Sequence, residues 1–138
     1  MELNLKKSVG LIFLIFIINA AFAQKTTYTN GLLSYENSEK NIKKNIGKNV
    51  TLTYDEFFKS YTVVYTDVNG YKKKMTFTHD GSQFDQYTCN GIIFSVIMPD
   101  ISLGYAKNGD GFITFSDLRK TLYGGTHISY KITSLKLN

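Results

Sequence analysis

From Val50 onward the chain alternates apolar and polar residues with a period of two. Val50, Leu52 and Tyr54 are interleaved with Thr51, Thr53 and Asp55, and Tyr61, Val63 and Tyr65 with Thr62, Val64 and Thr66. This is the pattern of strands with one buried face. The clearest unit is a hairpin around Asp67-Val68-Asn69-Gly70. A two-residue Asn69-Gly70 loop would set Val64 against Met75 and divide the apolar residues between the two faces. A three-residue loop, with Gly70 left-handed in a G1 bulge, instead sets Tyr61 opposite Phe77, Val63 opposite Met75 and Tyr65 opposite Lys73. Thr62, Thr66, Lys72, Lys74, Thr76 and Thr78 then share the other face. One wet and one dry face mark an antiparallel sheet, so the pattern predicts the bulged register.

Further strands follow at short intervals. Asp80-Gly81 turns into a strand over Gln83–Thr88, and Asn90-Gly91 into one over Ile92–Met98 that ends at Pro99-Asp100. The second is almost entirely apolar, which predicts a central strand covered on both faces. Ile101, Leu103 and Tyr105 alternate up to a turn over Lys107–Gly111, and Phe112–Phe115 returns. After Gly124-Gly125, Ile128, Tyr130 and Ile132 share one face. The apolar parity then switches to Leu135 and Leu137, which predicts a bulge near Thr133 or Ser134. Two short helices fit the remainder: Glu39–Ile46, capped by Ser38 and stopped by Gly47, and Ser116–Tyr123 before Gly124. The expected fold is a mainly β, single-domain antiparallel barrel or sandwich of about eight strands, connected as a meander, with one or two short helices. Residues 24–48 form an N-terminal segment with the first helix, and 49–138 the antiparallel β domain.

The first 23 residues carry a different pattern. Lys6 and Lys7 precede an unbroken apolar run from Leu11 to Ile18, and Ala21-Phe22-Ala23 supplies the small-x-small site read by signal peptidase. The expectation is a signal peptide over 1–23, cleaved between Ala23 and Gln24, and a secreted or periplasmic chain. A membrane anchor needs roughly 20 apolar residues, and this run breaks at Asn19, so no transmembrane segment is expected after cleavage. Gln24 also stands where a lipoprotein would carry cysteine.

Composition changes with that leader removed. The 138-residue chain is 43% hydrophobic with a formal charge of +5. Loss of Lys6, Lys7 and Glu2 leaves +4 on residues 24–138, with Ala106 as the only alanine. Alanine-poor, Thr-, Tyr- and Phe-rich sequence favours strands over helices. A single cysteine excludes a disulfide-stapled miniprotein and a four-ligand zinc module. Cys89 is expected to be a buried small hydrophobe, with intermolecular pairing and a reactive thiol as its other roles.

The candidate chemistry is sparse. The stretch Ala106-Lys107-Asn108-Gly109-Asp110-Gly111-Phe112-Ile113-Thr114-Phe115-Ser116-Asp117 resembles a calcium-binding EF-hand loop over 12 residues. The resemblance implies a Ca²⁺ site ligated by the side chains of Asn108, Asp110 and Asp117 and the carbonyl of Phe112. Ala106 departs from the pattern where a carboxylate is expected, Asp117 replaces a longer Glu, and no helix enters the loop. The other reading is a Gly-rich hairpin turn. His79 and His127 have no second ligand at metal spacing and are expected at the surface or at strand edges. Cys89, His79 and Asp80 would act together only if brought together in space. No G-x-S-x-G, H-E-x-x-H or phosphate-cradling glycine loop is present, so no catalytic residue is assigned and a non-enzyme is expected. Lys72-Lys73-Lys74 and the group Lys40, Lys43, Lys44 and Lys48 would suit an anionic lipid or polysaccharide, or guard strand edges; nucleic acid is not expected for an exported chain.

Ten tyrosines and no tryptophan remain. Strand count and size match the architecture of small-ligand barrels of the lipocalin type, without their G-x-W signature. A cavity would be lined by Tyr61, Val63, Tyr65, Met75, Phe77 and Phe94, or the same residues would fill the core. The expected function is an exported non-enzymatic binding or interaction module, taking a small apolar ligand if the barrel is hollow. The alternative is a structural or protein-interaction component of the cell envelope.

Overall fold

Eight strands run antiparallel, each beside its neighbour in sequence: β1 (Lys25–Asn37), β2 (Ile42–Asp55), β3 (Ser60–Asp67), β4 (Lys72–His79), β5 (Gln86–Cys89), β6 (Ile92–Ile97), β7 (Gly111–Asp117) and β8 (Ile128–Leu137). β8 pairs with β1 and closes the barrel. The computed structural model describes residues 24–82, 84–97, 105–119 and 128–138. Residues 1–23, Gln83, 98–104 and 120–127 lie outside them. Of the two expected architectures, barrel and sandwich, the chain forms the barrel, in meander order.

The β3–β4 hairpin has the bulged register. Tyr61 pairs with Phe77, Val63 with Met75 and Tyr65 with Lys73. Gly70 sits at φ 84, its amide donates to the Asp67 carbonyl at 3.1 Å, and the Asp67 amide donates to the Tyr71 carbonyl at 2.8 Å. Asn90 (φ 51) and Gly91 (φ 78) form the two-residue turn between β5 and β6, with Cys89 paired to Ile92. A left-handed pair of this kind matches the twist of the flanking strands.

Three expectations are corrected. Glu39–Ile46 is not a helix: Ser38–Asn41 is a turn and β2 begins at Ile42, pairing Lys43 with Glu36 and Lys44 with Tyr35. A partner strand, β1, outweighs the weak helical spacing of Ile42 and Ile46. β1 escapes sequence reading because a bulge at Asn30 breaks its alternation between Tyr28 and Leu33. Ser116 and Asp117 likewise belong to strand β7 rather than to a second helix; Lys120–Tyr123 lie outside the described residues. Finally, β6 is covered on one face only. Phe94 is buried, whereas Ile93 and Ile97 are 41% and 53% exposed, because a single barrel has one interior. The expected strand at Ile101–Tyr105 falls mostly outside the described residues, and Tyr105 is helical rather than extended. β7 pairs with β6 and β8.

Bulges concentrate at one corner. Asn30, Asn49 and Ser134 have φ of 62, 52 and 58, and each lies at a register shift, in β1, β2 and β8 respectively. Ser134 is the bulge read from the parity switch in the last strand. Such bulges bend strands sharply enough to close a small barrel. Gly31 sits at the centre of this corner. A Cβ there would stand 2.8 Å from Ile132 Cγ2, 2.8 Å from Leu135 Cδ2 and 2.9 Å from Val50 Cβ. Since Gly31 is not left-handed, the constraint is space rather than backbone. Gly31→Ala is therefore expected to destabilise by about 1–3 kcal/mol through overpacking, read as a lower urea midpoint; an unchanged midpoint would contradict the close approach.

Candidate functional site

The barrel interior is a column of aromatic rings. Phe77 stacks on Phe115 with centroids 3.9 Å apart and planes 13° from parallel, and meets Phe94 edge-on at 5.3 Å. Tyr61 reaches Phe115 from one side at 5.6 Å, and Tyr130 reaches Phe94 from the other at 5.9 Å. Leu33, Val50, Leu52, Val63, Ile113, Ile132 and Leu135 close the gaps, all fully buried. The six residues read as cavity lining all take part in this core: Val63, Phe77 and Phe94 are buried, and Tyr61, Tyr65 and Met75 pack against them. The outward face is mostly polar, set with Thr51, Thr53, Thr62, Lys72, Lys74, Thr76, Thr78, Ser116 and Lys131 beside the exposed Leu32, Ile93 and Ile97. That is the inverse of the apolar-out pattern of a membrane barrel. Among the described residues no helix is long and apolar enough to cross a membrane.

Register assigns the connections to two ends. The β2–β3 and β4–β5 loops and the turn before β7 lie at one, called here the loop end; the β1–β2, β3–β4 and β5–β6 turns lie at the other, the hairpin end. At the loop end the rings of Tyr54, Tyr61 and Tyr87 meet, at 4.7 and 5.2 Å. Burial pushes all three phenols above their ordinary value, Tyr61 furthest, with Asp85 adding to each. The loops here are tightly tied. Asp55 Oδ1 accepts the amides of Phe57 (3.0 Å) and Phe58 (3.2 Å). His79 Nδ1 accepts the Gly81 amide at 3.0 Å, so Nε2 carries the proton towards the Phe84 carbonyl at 3.1 Å. Phe57, Phe58 and Phe84 are nevertheless exposed.

The hairpin end carries a groove. Gly47 pairs with Asp67, but Ile42–Asn45 pair with β1 and not with β3, so the β1–β2 hairpin overhangs the β3–β4 hairpin. The crook between this overhang and the β3–β4 turn is a hollow of about 600 Å³, lined by Leu32, Asn45, Gly47, Lys48 and residues 66–70. The Tyr65 ring lies directly over Gly47, leaving no room for a Cβ. Asp67 Oδ1 accepts the amides of Asn69 and Tyr71, both at 2.9 Å, and holds the turn.

The EF-hand-like residues do not converge. Asn108 and Asp110 belong to a turn in which both amides donate to the Tyr105 carbonyl at 2.9 Å. Phe112 and Asp117 belong to β7, seven extended residues that carry Asp117 roughly 20 Å beyond Asp110 at the usual strand rise. The sheet pairing of β7 with both neighbours overrides the loop pattern. Asp117, fully buried, instead receives Arg119 Nε at 2.9 Å and Nη2 at 2.8 Å, besides the Arg119 amide at 2.9 Å. Among the described residues no three His, Cys, Asp or Glu side chains come together as a metal would need.

Cys89 is a buried free thiol, its pKa pushed up by burial, while His79 spends its ring nitrogens on Gly81 and Phe84. Lys40, Lys43, Lys44 and Lys48 do not form the stripe of one helix. They distribute over the turn and strand of the overhanging hairpin. Sequence reading missed the groove, whose only local sign is Gly47, taken there as a helix stop.

These features define a closed eight-stranded antiparallel meander barrel with an aromatic core, an aromatic loop end and a grooved hairpin end. Comparison with family profiles, curated proteins and solved structures finds no match for this chain.

Proposed function

We propose that this chain is an exported, non-enzymatic binding and interaction module whose barrel is a solid scaffold and whose partners bind on its outside. The observation that carries this reading is the Phe77–Phe115 stack at 3.9 Å, in the middle of the volume where a carrier barrel would hold its ligand. Its mostly polar outer face suits water, and the leader pattern of residues 1–23 supports export to a secreted or periplasmic location. The groups best fitted for acid–base or nucleophilic work are held in unreactive states. Burial raises the Cys89 thiol and the interior phenols, and the His79 nitrogens are both engaged. A second reading, a small apolar ligand held outside the core, is favoured by the groove at the hairpin end, whose 600 Å³ falls within the usual range for small-molecule sites.

Native mass spectrometry of protein purified from its host tests both. The expected mass is that of a chain beginning at Gln24 with nothing bound. A co-purifying small molecule would favour the ligand reading over the scaffold, and a mass retaining residues 1–23 would contradict cleavage.

A further inference from the structure

Two exposed apolar features lie at opposite ends of the barrel and carry opposite charge. At the loop end, Phe57 and Phe58 are 55% and 67% exposed, packed edge-to-face at 4.9 Å. The Asp55 carboxylate fixes the loop that displays them. The β2–β3 and β4–β5 connections carry Asp55, Glu56, Asp80 and Asp85 against Lys59, and Lys25 pairs with Asp55 at 3.7 Å. At the hairpin end, the groove offers Leu32, Gly47 and Val68, the last 78% exposed. Lys48 and Asp67 also line it, the Asp67 carboxylate engaged by the Asn69 and Tyr71 amides, and Lys43, Lys44 and Lys72 on the flanking strands leave this end basic.

An aromatic pair displayed on a pre-ordered loop loses little freedom when it docks, which is how strong interface anchors work. The groove has the apolar floor and the opposite charge to receive it, and the two ends of one barrel cannot meet. We propose that copies of this chain associate head to tail, the Phe57–Phe58 loop of one seated in the Leu32–Gly47–Val68 groove of the next, with Glu56 facing Lys48. The proposal rests on the reading that partners bind the outside of a packed barrel, and names the partner. Because knob and groove are different surfaces, the contact is heterologous and builds chains or rings rather than a symmetric dimer. One knob in one groove is a small contact, so assembly is weak, concentration-dependent and sensitive to salt.

Sedimentation velocity of the exported protein from micromolar to millimolar concentration tests this, with two surface variants: a knob variant (Phe57→Ser with Phe58→Ser) and a groove variant (Lys48→Glu with Val68→Asp). The wild type is expected to sediment faster as concentration rises, and less so in high salt. Each variant alone should associate about tenfold or more weakly, while their equimolar mixture should form dimers and stop, since one intact knob and one intact groove remain. Wild type that stays monomeric throughout, either variant associating like wild type, or a mixture that stays monomeric would overturn the proposal. Native mass of the monomer separately reports a ligand in the core, so failure of the scaffold reading is distinguishable from failure of head-to-tail contact.

Discussion

Phe77→Ala is expected to lower the free energy of unfolding by about 3–5 kcal/mol, a large share of the roughly 5–15 kcal/mol that a domain commonly holds. Phe77 is fully buried and touches the rings of Phe115, Phe94 and Tyr130. Truncation therefore removes both its own transfer from water and the packing of three neighbours. Collapse around the hole is resisted because closed strands cannot approach one another without breaking their pairing. A denaturant midpoint shifted only as far as for an exposed residue would show that the ring column is not the core.

Alkaline pH should unfold the barrel through its tyrosines. Burial raises the phenols of Tyr28, Tyr54, Tyr61, Tyr65, Tyr87 and Tyr130 above 10.0. The folded state therefore keeps these protons at a pH where the unfolded chain has released them. The stability that follows is fully present below pH 10 and is lost as pH rises above it, because ionisation then favours the unfolded chain. Tyrosinate absorbance from these residues should rise together with the loss of far-ultraviolet ellipticity, and Tyr61→Phe should delay the transition. Ionisation of the whole set near pH 10 with the strands intact would contradict their burial.

The middle of the fold was legible in the sequence because its strands are short and obey strict alternation. The turn residues Asp67-Val68-Asn69-Gly70 located the hairpin, and parity chose its three-residue loop and set a bulge near Thr133 or Ser134, since a one-residue slip carries an entire apolar set to the wrong face. The first strand was not legible. Asn30 and Gly31 interrupt β1 where the barrel bends, and a bulge mimics the loss of periodicity that marks a loop. The EF-like stretch was misleading for the converse reason: a Gly- and Asp-rich turn followed by a strand shares its composition with a metal loop, and only pairing across the sheet separates them. Of the candidate sites, the interior residues were found by their alternation. The groove depends on how far one hairpin overhangs another, a distance in register that no local pattern encodes.

The central claim is that rings fill the barrel and binding is external. Thermal unfolding in the presence and absence of benzene, for wild type and Phe77→Ala, tests it most directly, since a dry apolar cavity in a core takes up benzene and a bound ligand raises the midpoint. A filled interior predicts an unchanged wild-type midpoint and a benzene-dependent rise only in the variant. A saturable rise in the wild type would show a pre-existing internal cavity and contradict the account.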